Sequence, residues 1–417
     1  MATFGILVGG GPAPGINGVI GAAAMTALEA GHRAIGILDG FEHLMAGLPG
    51  EELRRHTVEL SAAGVATIHQ RGGSILHTSR ANPTKKEETL AHCVASLDAL
   101  GIDHLVTIGG DDTAFSSKRV SDTALGAIAA VHVPKTIDND LPLPSGMPTF
   151  GYETARHVAT GVVENLMEDC RTTGRWFFVI MMGRKAGHLA LGAGMSAGAA
   201  VTMIPEEFEA GAKIRLEQVA RVLEGSIVKR LSQGQRDGVA VIAEGVSEFL
   251  DPDDLVMLKD APRDEHGHIH LAEVPLGKVL AARVKETLAA RGVKVAIGTK
   301  DVGYELRCAS PCAFDREYTR DLGAGAVDLL LSGRGGALVT RQEGEIVPLP
   351  FDDLIDPETG RTRVRMVDTA TDFYRHALSL QTRIHARDRD DPERLSPLAQ
   401  AAGLSPEEAQ SYFGPSS

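Results

Sequence analysis

A chain of 417 residues with 43% hydrophobic content is long enough for two domains, each with its own core. Its net charge of −13 disfavours nucleic acid and anionic membranes as partners, although a local basic pocket in such a protein still admits a small anionic substrate. Aromatic residues are only 4%, so stacking on bases or sugars is a weak theme, whereas 47 glycines suit tight turns and close backbone approaches.

The run TFGILV (3–8) predicts a buried strand and GINGVIGAAAMTALEA (15–30) a helix. AIGILDG (34–40) reads as a strand. The window 84–100 reads as a helix, with Thr84 as candidate N-cap and Glu87 three residues on. HLVTIGG (104–110) and AIAAVHV (127–133) read as strands. A helix over 151–168, a strand WFFVIMMG (176–183), a helix over 185–198, a strand AVTMI (200–204) and a helix over 212–231 follow. Next come a strand GVAVIAEG (238–245), a helix over 276–290, a strand over 293–297 and a helix over 315–331. LSPEEAQ (404–410) predicts a capped helix start, with Ser405 at N-cap and Pro406 at N1. The alternation predicts an α/β fold of mostly parallel sheets with helices on both faces. Such sheets bind ligands at the carboxyl ends of their strands.

No apolar run reaches the roughly 18 residues of a membrane span, and MATFGILVGG lacks the basic start of a signal peptide. The four cysteines, Cys93, Cys170, Cys308 and Cys312, form no CxxC pair. Reduced thiols in a cytoplasmic protein are the expectation, and a zinc site at Cys308 and Cys312 is disfavoured because no partner ligand is near. His266, His268 and His270 share one face if extended. An exposed polar strand is the simpler reading there, and a metal site the alternative.

Three strand ends carry candidate chemistry. In GGGPAPGINGVI (9–20) glycines join a strand to a helix, so backbone N–H groups can hold phosphate oxygens at the helix N-terminus. Gly9 and Gly11 fit the dinucleotide fingerprint, but Pro14 occupies its third glycine, and the Gly-Lys-Ser/Thr of a P-loop is missing. A plain tight turn is the other reading. In IGGDDTAFSS (108–117), Asp111 can hold Mg²⁺ directly or through water, or Asp111 and Asp112 can be simple helix-start charges. In VPKTIDNDLPLP (133–144), Asp138 and Asp140 point the same way if extended. One can take a proton while the other touches metal or orients its neighbour, with Lys135 serving something anionic between. A surface loop with a local ion pair is the plainer account. A glycine anion cradle, a metal carboxylate and a base at the ends of one sheet together outline a phosphoryl-transfer site.

With GGGPAPGIN, GGDDT, PKTIDND, MMGRKAGHLA and AEG in this order and spacing, the chain resembles the phosphofructokinase family from residue 3 to about 340. The resemblance implies two Rossmann-like three-layer α/β/α domains. Residues 1–150 plus about 304–350 would form the phosphoryl-donor domain. Residues from about 151 to 303 plus 351–417 would form the fructose 6-phosphate domain with a C-terminal extension. It also implies Mg²⁺-dependent phosphoryl transfer to O1 of fructose 6-phosphate. By the family's roles, Asp138 would be the general base, with Lys135, Thr136 and Arg184 also catalytic. Asp111 would be the metal-side carboxylate. Gly11, Arg80, Gly110, Asp112 and Thr113 would meet the donor. Asp140, Met182, Gly183 and Glu244 would meet the sugar phosphate, and Tyr304 and Arg307 would hold the 6-phosphate. Arg175 would reach a neighbouring subunit's substrate, implying a homodimer or homotetramer. The chain departs from the family in LRCASP (306–311), where QRGGSP is usual, so Cys308 and Ala309 replace glycines. It also has Gly298 where the family often uses an arginine, with Lys300 as the substitute.

Within the family, ATP users commonly show GGDGS and GTIDND. Pyrophosphate users carry an acid in place of the second-motif glycine and a lysine before the threonine, as Asp112 and Lys135 do here. Asp112 adds bulk and negative charge where the α-phosphate of a nucleotide would sit. Lys135 adds positive charge where leaving phosphate gathers it. Pyrophosphate is therefore the expected donor, with a near-equilibrium, reversible reaction. An ATP-dependent 6-phosphofructokinase is the alternative. A lipid or NAD kinase shares only GGD, a regulatory subunit without activity is at odds with Asp138 and Arg184, and an oxidoreductase lacks its fingerprint.

Overall fold

The computed structural model describes residues 1–208, 213–251, 254, 275–354 and 363–414. His266, His268 and His270 lie outside the described residues. The chain divides into two compact units, Met1–Ala155 with Tyr304–Arg365, and Arg156–Gly303 with Met366–Ser417.

The first unit is built on β1 (Thr3–Val8), β2 (Arg33–Ile37), β3 (Thr57–Glu59), β4 (His104–Gly109), β5 (Ala129–Pro134), β10 (Ala337–Gln342) and β11 (Glu345–Pro350). Their order is β11-β10-β5-β4-β1-β2-β3. Pairing is parallel from β10 to β2 and antiparallel at the two edges. Alternate residues of a strand face opposite sides, and here each side has its own core. Phe4, Ile6, Val8, Val106, Ile108, Val131 and Val133 pack with the helices Ile16–Glu29 and Ala313–Leu331. Leu7, Leu105 and Ala130 pack on the other face with the helices Glu87–Ala99 and Asp111–Thr123. Because both faces are covered, these strands read as continuous apolar runs.

The second unit holds β6 (Trp176–Met181), β7 (Val201–Met203), β8 (Gly238–Ala243) and β9 (Ile297–Val302) in the order β7-β8-β6-β9, all parallel. Trp176, Phe178 and Ile180 share a core with the helices Leu216–Ser232 and Leu276–Ala290. Leu395, Leu398, Ala402, Ala409 and Phe413 belong to the same core, so the C-terminal residues complete this unit's interior. The outer edge of β7 is covered by the same region: Thr382 N–H donates to the Ala200 carbonyl at 2.7 Å, and Gln381 Oε1 accepts from Thr202 N–H at 3.0 Å. That shields an edge that would otherwise offer unpaired backbone groups.

Several boundaries differ from the sequence expectation. Thr84 is not an N-cap. Its N–H goes to Asn82 Oδ1 in a short 3₁₀ turn, Pro83–Lys85, and the helix starts at Glu87 after Lys86. The strand expected over 293–297 lies at Ile297–Val302, because it is an edge strand whose middle is half exposed and shows no apolar run. The helix expected from 212 begins at Leu216. The β10–β11 hairpin escaped the reading. Its two-residue turn is Glu343–Gly344 with φ of 51° and 89°, as a type I′ turn requires. Ser405 does cap the last helix, accepting from Glu408 N–H, with Pro406 at N1.

Candidate active site

The first unit's candidate residues gather where β1, β4 and β5 end. Gly9 N–H donates to the Ile108 carbonyl at 2.8 Å, which ties the end of β1 to β4. Gly10 turns with φ 79°, its N–H donating to the Ser79 carbonyl at 2.8 Å and its own carbonyl accepting from Thr78 Oγ1 at 2.6 Å. Arg80 follows and is exposed. Lys135 Nζ donates to the Gly11 carbonyl, and a Cβ on Gly10 would lie 3.4 Å from that ammonium. A Cβ on Gly11 would lie 3.6 Å from the Arg307 guanidinium carbon. Two cations therefore flank one glycine turn that leads into the N-terminus of the Ile16–Glu29 helix. Positive charge, the helix dipole and the turn's backbone geometry together favour a negatively charged group there.

Thr113 is buried beneath the turn. A Cβ on either Gly9 or Gly109 would meet its Oγ1 at 2.4 Å, so both glycines are needed for the helix to approach the strand ends. Gly110 is the N-cap of the Asp111–Thr123 helix, and Asp111 and Asp112 occupy its first turn, where the helix dipole favours negative charge. Asp111 is half-buried and Asp112 exposed.

Lys135 directly follows β5, buried, with its N–H donating to the Gly109 carbonyl at 2.7 Å. His132 lies beneath, fully buried, between Thr107 Oγ1 at 2.8 Å and the same Gly109 carbonyl at 3.0 Å. Burial, reinforced by Lys135, pulls its pKa down to about 3. The ring is therefore neutral, with Nε2–H donating to Gly109 and Nδ1 accepting from Thr107. The expectation that Asp138 and Asp140 project alike from an extended stretch does not hold: Asn139 between them is left-handed, with φ 58°. Thr136 Oγ1 accepts from Asp138 N–H at 3.0 Å, making a tight turn that leaves Asp138 only 7% exposed.

The second unit's candidates sit at the ends of β6 and β8. Met182 is buried, and its N–H donates to the Val302 carbonyl at 2.9 Å. Glu244 Oε1 accepts from the N–H groups of Gly183 and Arg184 at 3.0 and 2.7 Å. Arg184 is left-handed, with φ 49°, a costly conformation for a residue with a Cβ, and the buried carboxylate holds it. Glu244, expected to meet the sugar phosphate, engages through Oε1 the loop that presents Arg184. Glu206 was missed by the sequence reading. Its Oε1 accepts from Gly187 N–H at 2.8 Å and Val367 N–H at 2.9 Å, and burial raises its pKa. Arg175 grips Asp169 with two bonds of 2.7 and 2.8 Å and lies 4.9 Å over the Phe177 ring. Lys300 is exposed on the edge strand β9, opposite Val179.

Tyr304 and Arg307 belong to the first unit. Tyr304 is 68% exposed, and Arg307 packs 5.0 Å over its ring. Neither Cys308 nor Ala309, which stand where glycines were expected, has a positive φ, so this backbone does not demand glycine. No cysteine is disulfide-bonded; Cys93 and Cys170 are buried and Cys308 is exposed.

The phosphofructokinase family model matches residues 3–330. The chain is 53% identical to pyrophosphate–fructose 6-phosphate 1-phosphotransferase of Thermotoga maritima over 98% of its own length and 97% of that protein's. It is 49% identical to the protein of the same name from Naegleria fowleri, over 99% and 95%. Its fold matches the crystal structure of a pyrophosphate-dependent phosphofructokinase from Marinobacter aquaeolei with a TM-score of 0.67, covering 97% of this chain and 92% of that one at 16% identity. Glycine turn, helix-start acids and a lysine-led aspartate turn at the ends of the parallel strands β1, β4 and β5 agree with that match along nearly the whole chain, which belongs to the phosphofructokinase family.

Proposed function

We propose that this chain reversibly transfers a phosphoryl group from pyrophosphate to O1 of fructose 6-phosphate, giving fructose 1,6-bisphosphate and phosphate. The observation that carries the donor assignment is Lys135, whose ammonium sits on the Gly10–Gly11 turn one residue past the end of β5. Asp112, exposed on the first turn of the neighbouring helix, adds the negative charge that disfavours a nucleotide there. Relatives at 53% and 49% identity carry the corresponding name.

In this reading the first unit takes the donor and also supplies Asp138, Asp140 and Tyr304, and the second supplies Met182, Gly183, Arg184, Glu244 and Lys300. Asp138 accepts the proton of the sugar 1-hydroxyl as its oxygen bonds to phosphorus. The bridging P–O bond of pyrophosphate breaks, and Lys135 stabilises the charge on the departing phosphate. Thr136 holds the turn that carries Asp138. Gly11, Gly110, Arg80 and Thr113 form or support the donor cradle, while Arg307 holds the 6-phosphate with Tyr304. Arg184, presented by Glu244 beside Met182 and Gly183, meets the transferred group. Asp140, Lys300 and Tyr304 serve the sugar phosphate. Mg²⁺ fits the donor side, because it takes one or two carboxylates with phosphate oxygens and water rather than a protein cage, and Asp111 is a half-buried carboxylate on the first turn of the helix that follows β4. When bound, it neutralises phosphate charge. The same reading makes the protein a cytoplasmic homo-oligomer in which Arg175 leaves Asp169 for a neighbouring subunit's substrate.

The test is fructose 6-phosphate phosphorylation with Mg²⁺, comparing pyrophosphate and ATP, for the native chain and the Asp112→Gly, Lys135→Gly double variant. Activity with pyrophosphate alone, shifting toward ATP in the variant, is expected. Native activity with ATP would overturn the donor assignment, and native activity without dependence on added Mg²⁺ would overturn the metal.

A further inference from the structure

Arg365 lies in a stretch for which the sequence offered no role, yet its side chain reaches the turn that carries Asp138. Its Nε donates to the Asn139 carbonyl at 3.0 Å, one terminal nitrogen donates to the Met147 carbonyl at 2.7 Å, and the other donates to Asn139 Oδ1. Its backbone N–H donates to the Asp140 carbonyl at 2.7 Å. Asn139 is buried and left-handed. From the other side, Thr149 N–H donates to Asn139 Oδ1 at 3.0 Å and Thr149 Oγ1 donates to the Thr136 carbonyl at 2.8 Å. The turn is thus held between a threonine and a guanidinium.

Taking a guanidinium out of water is unfavourable unless its donors find acceptors. Burial does lower the Arg365 pKa, with Asp140 opposing that shift. Here the planar fork meets three oxygens at once, which the single ammonium of a lysine cannot match. Asn tolerates the left-handed region better than most residues with a Cβ, but the conformation still carries a cost and persists only where its surroundings hold it.

We propose that Arg365 is a positioning residue: it fixes Asn139 in the left-handed conformation and thereby sets the direction of the Asp138 carboxylate. The catalytic half of this inference rests on Asp138 being the base of the proposed transfer. The structural half does not.

The experiment compares the native chain with Arg365→Ala, Arg365→Lys and, as control, the exposed Arg363→Ala. Amide hydrogen exchange is read alongside steady-state kinetics. Faster exchange is expected at the Asp138 and Thr149 amides in both Arg365 variants, with protection of the β1 and β4 amides unchanged. kcat is expected to fall on the order of 10²-fold, with KM for each substrate within about threefold of native. Added guanidinium should restore part of the Arg365→Ala activity, and Arg363→Ala should behave as native. Unchanged exchange at the two amides, a loss of protection spread through the sheet, or a defect confined to KM would each overturn the proposal. If the native chain itself fails to use pyrophosphate, the functional reading falls, and exchange at the Asp138 and Thr149 amides still decides whether Arg365 holds the turn.

Discussion

Asp138 is reached by a turn in which nearly every neighbour has a structural task. Thr136 binds its amide, Asn139 takes the strained φ, and Lys135 anchors the preceding backbone to Gly109. Asp138→Asn preserves this shape but removes the proposed proton acceptor. Its kcat is expected to fall by about 10²- to 10⁴-fold with substrate affinities near native, as steady-state kinetics with pyrophosphate would show. His132 makes a different prediction. A native imidazole with a pKa of about 3 stays neutral while the unfolded chain protonates near the ordinary value. Its contribution is complete above pH 6.5 and is lost as pH falls toward 3, at about 1.4 kcal/mol per pH unit. Urea denaturation between pH 6.5 and 4.5 should show a flatter pH dependence for His132→Gln than for the native chain.

At the scale of elements, Asp315 joins two segments far apart in sequence. Its buried carboxylate accepts from Gly151 N–H at 2.9 Å, Thr154 N–H at 2.8 Å and Thr154 Oγ1 at 2.5 Å, and so satisfies the start of the Tyr152–Thr173 helix. Asp315→Asn aims an amide N–H₂ at donors. A loss of about 1–3 kcal/mol is expected in chemical denaturation. Such couplings separate what the sequence reveals from what it hides. The strand ends were legible because each needs unusual residue types in a row: glycines before a helix, acids on a first turn, a lysine beside aspartates. The Asn139–Arg365, Gly187–Glu206 and Gly151–Asp315 pairs were not, because ordinary residues meet there through tertiary folding alone. The hairpin turn at Glu343–Gly344 did leave a signal, a glycine between two alternating runs, but a weak one. The edge strand β9 left less, since with only β6 beside it half its residues are free to be polar.

At the scale of the whole molecule, the C-terminal residues are structural. Arg383 holds Glu207 with bonds of 2.7 and 2.9 Å while its neighbours cover β7, and Phe413 closes the second unit's core. No helix among the described residues is long and apolar enough to cross a membrane. The first unit is discontinuous: β5 pairs with β10, Val131 opposite Ala337, and the Ile16–Glu29 helix packs with Ala313–Leu331. This imposes an order on biosynthesis. As the ribosome releases the first 300 residues, Ile16, Val19, Ile20 and Ala23 lack the side chains of Tyr318, Leu322 and Ala326 that later enclose them. Joining segments so distant carries a loop-closure cost, and an open apolar face invites self-association in the meantime. The interior of the first unit is therefore closed only when the chain returns with Tyr318, Leu322 and Ala326, and until then its apolar face stays open.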